Sequence, residues 1–249
     1  MQKRNQRPRF VPPPSLSVVE SQDLDVADVR LRVLTWESSD GPPVVLLHSL
    51  GESSSTCFAV AETLAEDHRV YAVDLRGHGD SSRTSRYSLD LMSEDVVGVI
   101  EHLGLADVQL IGHSLGGMIA YLIASRRVPR LAGLVLEEAP PPLPISPPRD
   151  IPTDPDQDFG FDWNALVALY EQRNNPDAGW WPALRAIEVP TLVLAGGPAS
   201  HVDQGELMQM AVQIPSSEFV EIPVGHNIHA DAPDEFVRTI RAFFAINGL

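Results

Sequence analysis

Apolar and polar positions along this chain follow two distinct periods. Short, mostly apolar runs at Val44–His48, Val70–Asp74, Val108–Ile111, Leu134–Glu138, Thr191–Ala195 and Phe219–Ile222 have the length of buried strands. Between them lie stretches with an apolar stripe at helical spacing: Ser53–Glu66, Leu89–Leu103, Leu115–Arg127 and Asp234–Ile246. In Leu89–Leu103 the stripe is Leu91, Val96, Val99, Ile100 and Leu103, and Gly104 supplies the stop. Strands alternating with helices imply a parallel sheet covered on both faces. Upstream, Leu16–Glu20 and Val29–Thr35 read as an antiparallel pair at the sheet edge. No internal repeat is visible.

One stretch breaks the rhythm. Between Ala139 and Glu188 the alternation lapses into Pro140, Pro141, Pro142, Pro144, Pro147, Pro148, Pro152 and Pro155, then helical spacing near Asp162–Gln172. Phe159, Phe161, Trp163, Tyr170, Trp180 and Trp181 share the segment, an aromatic content that argues against disorder. Long insertions between core strands are commonly functional, and open α/β sheets place their sites at the strand ends. The expected organisation is one α/β domain. It comprises a flexible tail over 1–14, a core from 15–138 and 189–249, and a lid over 139–188.

Composition narrows the partners. Lys and Arg total 18 against 34 Asp and Glu, a formal net charge of -16, which lacks the cation excess that nucleic-acid binding needs. An acidic surface aids solubility and mildly repels anionic substrates. Cys57 is the single cysteine, so no internal disulfide forms and cytoplasmic residence is expected. Its place in a predicted helix suggests a buried structural thiol. Lys3, Arg4, Arg7 and Arg9 precede Pro12-Pro13-Pro14 with no apolar stretch behind them, unlike a secretory signal. No apolar run is long enough to span a bilayer. The expected partner is a small-molecule substrate, with no nucleic acid and no membrane, and the expected unit is a monomer or homodimer.

The strongest chemical signal is Ile111-Gly112-His113-Ser114-Leu115-Gly116-Gly117, a G-x-S-x-G match between a predicted strand and a predicted helix. A chain that turns this sharply holds Ser114 in a strained conformation, which only small neighbours such as Gly112 and Gly116 allow. The turn lifts the hydroxyl clear of the sheet at the positive end of the next helix. Gly117 lets that helix pack close.

With this elbow in view, other segments fall into a pattern. Leu47-His48-Ser49-Leu50-Gly51-Glu52, Asp74-Leu75-Arg76-Gly77-His78-Gly79-Asp80-Ser81, and Gly225-His226 followed by Pro233 and Phe236 appear in order. They resemble the loop after the third strand, the D-x-R-G-x-G-x-S turn and the histidine loop of the α/β-hydrolase family. The resemblance covers nearly the whole chain after the tail. It implies the α/β-hydrolase fold, a mostly parallel twisted sheet with helices on both faces and a short lid insertion. The family runs many reactions on one fold.

The resemblance also implies roles. His226 comes last in the Ser…acid…His order of this fold and is the expected base, with His229 as its rival. His48 and His78 take structural positions, as do Asp74 and Asp80, and His113 is the variable residue beside the nucleophile. The backbone N–H groups of Leu50 and Leu115 form the expected oxyanion hole. Ser49 stands where relatives usually carry Gly, so its hydroxyl is free to contact substrate. The acid departs from the common pattern. Relatives place Asp in a G-x-x-D turn beyond the seventh strand, but Gly196-Gly197-Pro198-Ala199 puts Ala199 in that slot. Some members, including haloalkane dehalogenases and the zearalenone lactonase, place the acid at the end of the sixth strand, where Glu137-Glu138 stands. Glu138 is the expected acid, with Asp203 and Glu137 as alternatives. Successive strand residues face opposite ways. Only one of the two glutamates can therefore meet His226, and the other should turn to solvent or bond nearby backbone.

Serine at the elbow separates this chain from members that attack with Asp, and it leaves acyl transfer to water. The expected activity is hydrolysis of a carboxylic ester or lactone of an apolar small molecule through an acyl-enzyme at Ser114. Carbon–carbon bond hydrolysis and cofactor-free haloperoxidase-like chemistry use the same residues. A non-catalytic binding protein on a hydrolase fold is a further alternative, for which Ala199 could mark a decayed triad. Trp163, Trp180 and Trp181 are expected to line the pocket with Ser49 and His113. No cofactor is implied. A metal set of His226, His229, His201 and Asp203 matches no common ligand spacing, and no metal is expected.

Overall fold

A computed structural model describes residues 19–36, 40–153, 157 and 159–249. The expected tail over 1–14 lies outside them. Eight strands form one sheet: β1 (Val19–Val26), β2 (Val29–Trp36), β3 (Pro43–Leu47), β4 (Arg69–Val73), β5 (Val108–His113), β6 (Leu131–Glu137), β7 (Thr191–Ala195) and β8 (Ser217–Glu221). Their spatial order is β1-β2-β4-β3-β5-β6-β7-β8. β1 pairs antiparallel with β2, and β2 with β4; every later pairing is parallel. The helices are α1 (Phe58–Leu64), α2 (Leu89–His102), α3 (Leu115–Ser125), α4 (Trp163–Asn174), α5 (Trp180–Ala183), α6 (Gln204–Gln213), α7 (Ile228–Asp231) and α8 (Pro233–Asn247).

The strand runs are continuously apolar because both faces are buried. Val45, Leu47, Leu134, Leu136 and Val193 join one core with the buried stripes of α2, α3 and α6. Val44, Leu46, Val135, Leu192 and Leu194 join a second core with α1 and α8. Two expectations about extent need correction. The edge strand begins no later than Val19 and runs on to Val26, whereas Leu16–Glu20 was expected, and Leu16–Val18 lie outside the described residues. Leu24 and Val26 are buried, whereas Asp23 and Asp25 on the opposite face and Glu20 near the start of the strand are exposed, so this edge strand shows no apolar run. The helix expected over Ser53–Glu66 opens as a 3₁₀ turn, Ser54–Cys57, and becomes α-helical only from Phe58. Cys57 is buried there, and burial pushes its thiol up to about 12, so it carries no thiolate at neutral pH. Among the described residues no helix is long and apolar enough to cross a membrane.

Candidate active site

The turn from β5 into α3 is held by its glycines and its backbone bonds. Ser114 sits at φ 50, ψ -108, a left-handed conformation rare for a residue with a side chain. Its N–H donates to the Glu137 carbonyl at 2.9 Å, and the Gly116 N–H donates to the His48 carbonyl at 3.2 Å. A Cβ on Gly112 would lie 2.3 Å from the Gly116 carbonyl oxygen, and one on Gly116 would lie 2.3 Å from that of Leu47. The elbow therefore exists only because both positions lack side chains. Leu115 opens α3, and the first N–H groups of a helix have no intrahelical acceptor.

The loop after β3 is fastened beside the elbow by His48. This buried ring donates from Nδ1 to the Ser49 carbonyl at 2.7 Å and accepts the Leu75 N–H at Nε2 at 3.0 Å. Accepting at Nε2 requires the neutral ring, and burial lowers its pKa to about 4. Asp74 ties the neighbouring turns by accepting the Ser54 N–H at 2.7 Å and the Asp80 N–H at 2.8 Å.

His226 follows β8 and Gly225, whose φ is +99. Its Nδ1 lies 3.3 Å from Glu138 Oε2. Glu138 stands one residue past β6 at φ 48, with its N–H bonded to the Leu194 carbonyl at 2.9 Å and its side chain fully buried. The carboxylate also accepts from the Gly196 N–H, the Ser200 hydroxyl and the Gln204 amide. Burial raises its pKa, but the bonds from His226, Ser200, Gly196 and Gln204 outweigh burial and hold it below the usual carboxylate range. An ionised acceptor there makes Nδ1 the donor. Nε2 is left as the basic nitrogen.

The other two acids have separate partners. Asp203 caps α6, accepting the Glu206 N–H at 2.9 Å. Glu137 binds His229, taking its backbone N–H at 2.8 Å and its Nδ1 at 2.9 Å. It is buried rather than turned to solvent; it bonds nearby backbone, the other expected outcome, and also takes the His229 side chain, which was not expected. Burial raises the Glu137 pKa, and the His113 and His229 charges together with the His229 bonds bring it below its ordinary value.

A family model for the alpha/beta hydrolase fold matches residues 42–181. The chain belongs to that family. It is 26% identical to the sn-1-specific diacylglycerol lipase ABHD11 of Mus musculus, over 95% of this chain and 93% of that protein. It is 28% identical to a putative esterase/lipase of Haemophilus influenzae, over 83% of this chain and 84% of that protein. In three dimensions it resembles the enol-lactonase from Burkholderia xenovorans LB400, with a TM-score of 0.77, 22% identity, and coverage of 90% of this chain and 100% of that one.

In this α/β-hydrolase a cavity of about 310 Å³ opens over Ser114 and His226. Leu50, Leu115 and Ser49 line it, together with Glu52, Met118, Pro140 and Ile145. The three tryptophans expected in the wall are not in the lining. Trp163 donates its indole N–H to the Pro152 carbonyl at 3.2 Å and stacks on Phe161, while Trp180 and Trp181 pack against the hydrophobic core. These rings anchor the 139–188 segment to the body rather than face the cavity, because large apolar surfaces bury most favourably there. His113 also lies outside the lining. It is buried behind His226, donating from Nε2 to the His226 carbonyl at 2.9 Å, with Nδ1 3.7 Å from Glu52.

Sequence reasoning misses the cavity residues Leu169, Tyr170 and Arg173 of α4, along with Arg149 and His201. The signal for the first three is their spacing on one helix face, with Leu169 and Arg173 four apart. His201 packs its ring 4.1 Å from that of His226. Of the four residues weighed as a metal set in the sequence, from which no metal was expected, Asp203 is engaged as a cap. Among the described residues, the group able to approach one ion is Glu52, His113 and His229, whose ligand atoms lie within 4.8 Å of one another. Its histidines already bond Glu137 and the His226 carbonyl.

Proposed function

We propose that this protein hydrolyses a carboxylic ester, lactones included, of a small molecule through an acyl-enzyme at Ser114. One observation carries the reading: a strained elbow serine shares a cavity with a histidine whose far nitrogen meets a buried, multiply bonded carboxylate. The names of the mouse lipase and the Haemophilus putative esterase/lipase support ester chemistry. His226 Nε2 takes the Ser114 proton as Oγ attacks the carbonyl carbon, and Glu138 stabilises the imidazolium. The N–H groups of Leu50 and Leu115 receive the developing oxyanion. Collapse expels the alcohol, which takes the proton from His226. Water, deprotonated by the same ring, then attacks the acyl group; as the acid leaves, the ring returns that proton to Ser114 Oγ, which restores the free serine and the neutral histidine.

The 139–188 segment acts as the lid, with Pro140, Ile145 and Leu169 giving an apolar wall for the substrate's hydrocarbon part. Ala199 does not favour the non-catalytic alternative, because Glu138 occupies the place of the acid beside His226. The test is a burst of p-nitrophenol from p-nitrophenyl acetate. Wild type should show it and Ser114→Ala should not; equal bursts would reject the reading.

A further inference from the structure

Arg149 and Arg173 both line the cavity that holds Ser114 and His226. Several arginines elsewhere in this acidic chain pair with carboxylates, as in Arg32 with Asp23 at 2.7 Å, Arg76 with Asp95 at 2.7 Å and Arg241 with Asp67 at 2.9 Å. Among the described residues, neither the Arg149 nor the Arg173 guanidinium has such a partner. Glu52, the carboxylate in the same lining, already accepts the Ser49 N–H at 3.2 Å and the Thr56 hydroxyl at 3.3 Å, and faces His113.

The pair is built rather than incidental. Asn174 follows Arg173, and its side-chain amide clamps the Arg149 backbone, accepting the N–H at 2.9 Å and donating to the carbonyl at 2.8 Å. Two segments 25 residues apart are thereby fixed beside each other, with both arginines lining one cavity. Burial and then the Arg149 charge push the Arg173 guanidinium below its ordinary value, so the arrangement is unfavourable without an anion. The C-terminal turn of α4 explains a cation at position 173, but not its presence in a cavity beside a second one. A surface of net charge -16 would repel an anion, which makes a local reversal of sign at the cavity informative.

We infer that Arg149 and Arg173 form a carboxylate-binding subsite, so that the ester hydrolysed at Ser114 carries a free carboxylate on its acyl part. Guanidinium forks match a carboxylate through paired, charge-assisted bonds. A cavity of about 310 Å³ suits a short-chain monoester of a dicarboxylic acid, whose apolar methylenes cross the aliphatic wall between the two polar ends. This substrate class rests on the hydrolase reading above.

The experiment compares monomethyl glutarate with methyl pentanoate, in which a methyl replaces the carboxylate, by pH-stat hydrolysis. Wild type should prefer the anionic ester in kcat/KM by about tenfold or more. In Arg149→Gln/Arg173→Gln the ratio should fall to about one or below, with circular dichroism showing the fold retained. Hydrolysis of methyl pentanoate without preference for monomethyl glutarate would overturn the subsite and leave the hydrolase reading intact. Calorimetry with glutarate tests the subsite without turnover. Binding that is lost in the double variant supports it even if neither ester is hydrolysed; no binding, or equal binding to both proteins, overturns it.

Discussion

Glu138 Oε2 lies 3.3 Å from His226 Nδ1, although the adjacent residue, Glu137, reaches a different histidine. Two glutamates consecutive in sequence thus hold His226, in the loop after β8, and His229, in α7: Glu138 holds the ring that lines the cavity, and Glu137 holds a buried anchor.

This division gives a ranking. Glu138→Gln should lower kcat about a hundredfold or more, because the imidazole loses its orienting anion and the tautomer that exposes Nε2. Asp203→Asn should leave kcat within about twofold, since Asn caps a helix as well as Asp does. Steady-state kinetics on any hydrolysed ester decides, and the reverse order would move the acid to the loop after β7.

Glu137→Gln should act on stability first. Removing one partner of a buried charged network costs roughly 3–5 kcal/mol, so thermal unfolding should shift down markedly, with a smaller loss of kcat than in Glu138→Gln. A variant with unchanged melting temperature would show that the His229 anchor is dispensable.

The elbow's glycines permit a paired comparison. A Cβ on Gly116 would meet the Leu47 carbonyl oxygen at 2.3 Å, whereas one on Gly104 would have nothing within 4 Å. Gly116→Ala should abolish activity and destabilise the fold, while Gly104→Ala, strained only by φ +62, should cost about 1 kcal/mol. Urea unfolding of both variants checks the contrast, and similar losses would contradict the steric account.

The elbow is legible in sequence because its constraint is local: Gly112 and Gly116 are required by contacts within the turn and with the adjacent strand. The acid is legible only as a short set. Alternation separates Glu137 from Glu138 but does not say which meets His226, and Glu138 has already left strand geometry at φ 48. Trp163, Trp180 and Trp181 mark the right segment but the wrong face, since whether an aromatic ring anchors a lid or lines a cavity depends on distant packing. The two lining arginines are hidden for the same reason, because Arg149 is held beside the end of α4 by the Asn174 amide, 25 residues away in sequence.

His48 gives a pH dependence of stability. In the unfolded chain its ring takes a proton near 6.5, but in the fold only near 4, so between those values the unfolded state binds more protons. Stability contributed by His48 is full above about 6.5 and declines as pH falls toward 4, by about 3 kcal/mol. Ring nitrogen resonances should report a neutral His48 at pH 5. A protonated ring there would contradict the bond that its Nε2 accepts from the Leu75 N–H.

The nucleophile itself can be trapped. Treatment with a fluorophosphonate followed by peptide mass spectrometry should place one covalent adduct on the peptide bearing Ser114, absent from Ser114→Ala, whose ester turnover should fall about a thousandfold or more. An unlabelled wild type, or a label on any other residue, would contradict the account.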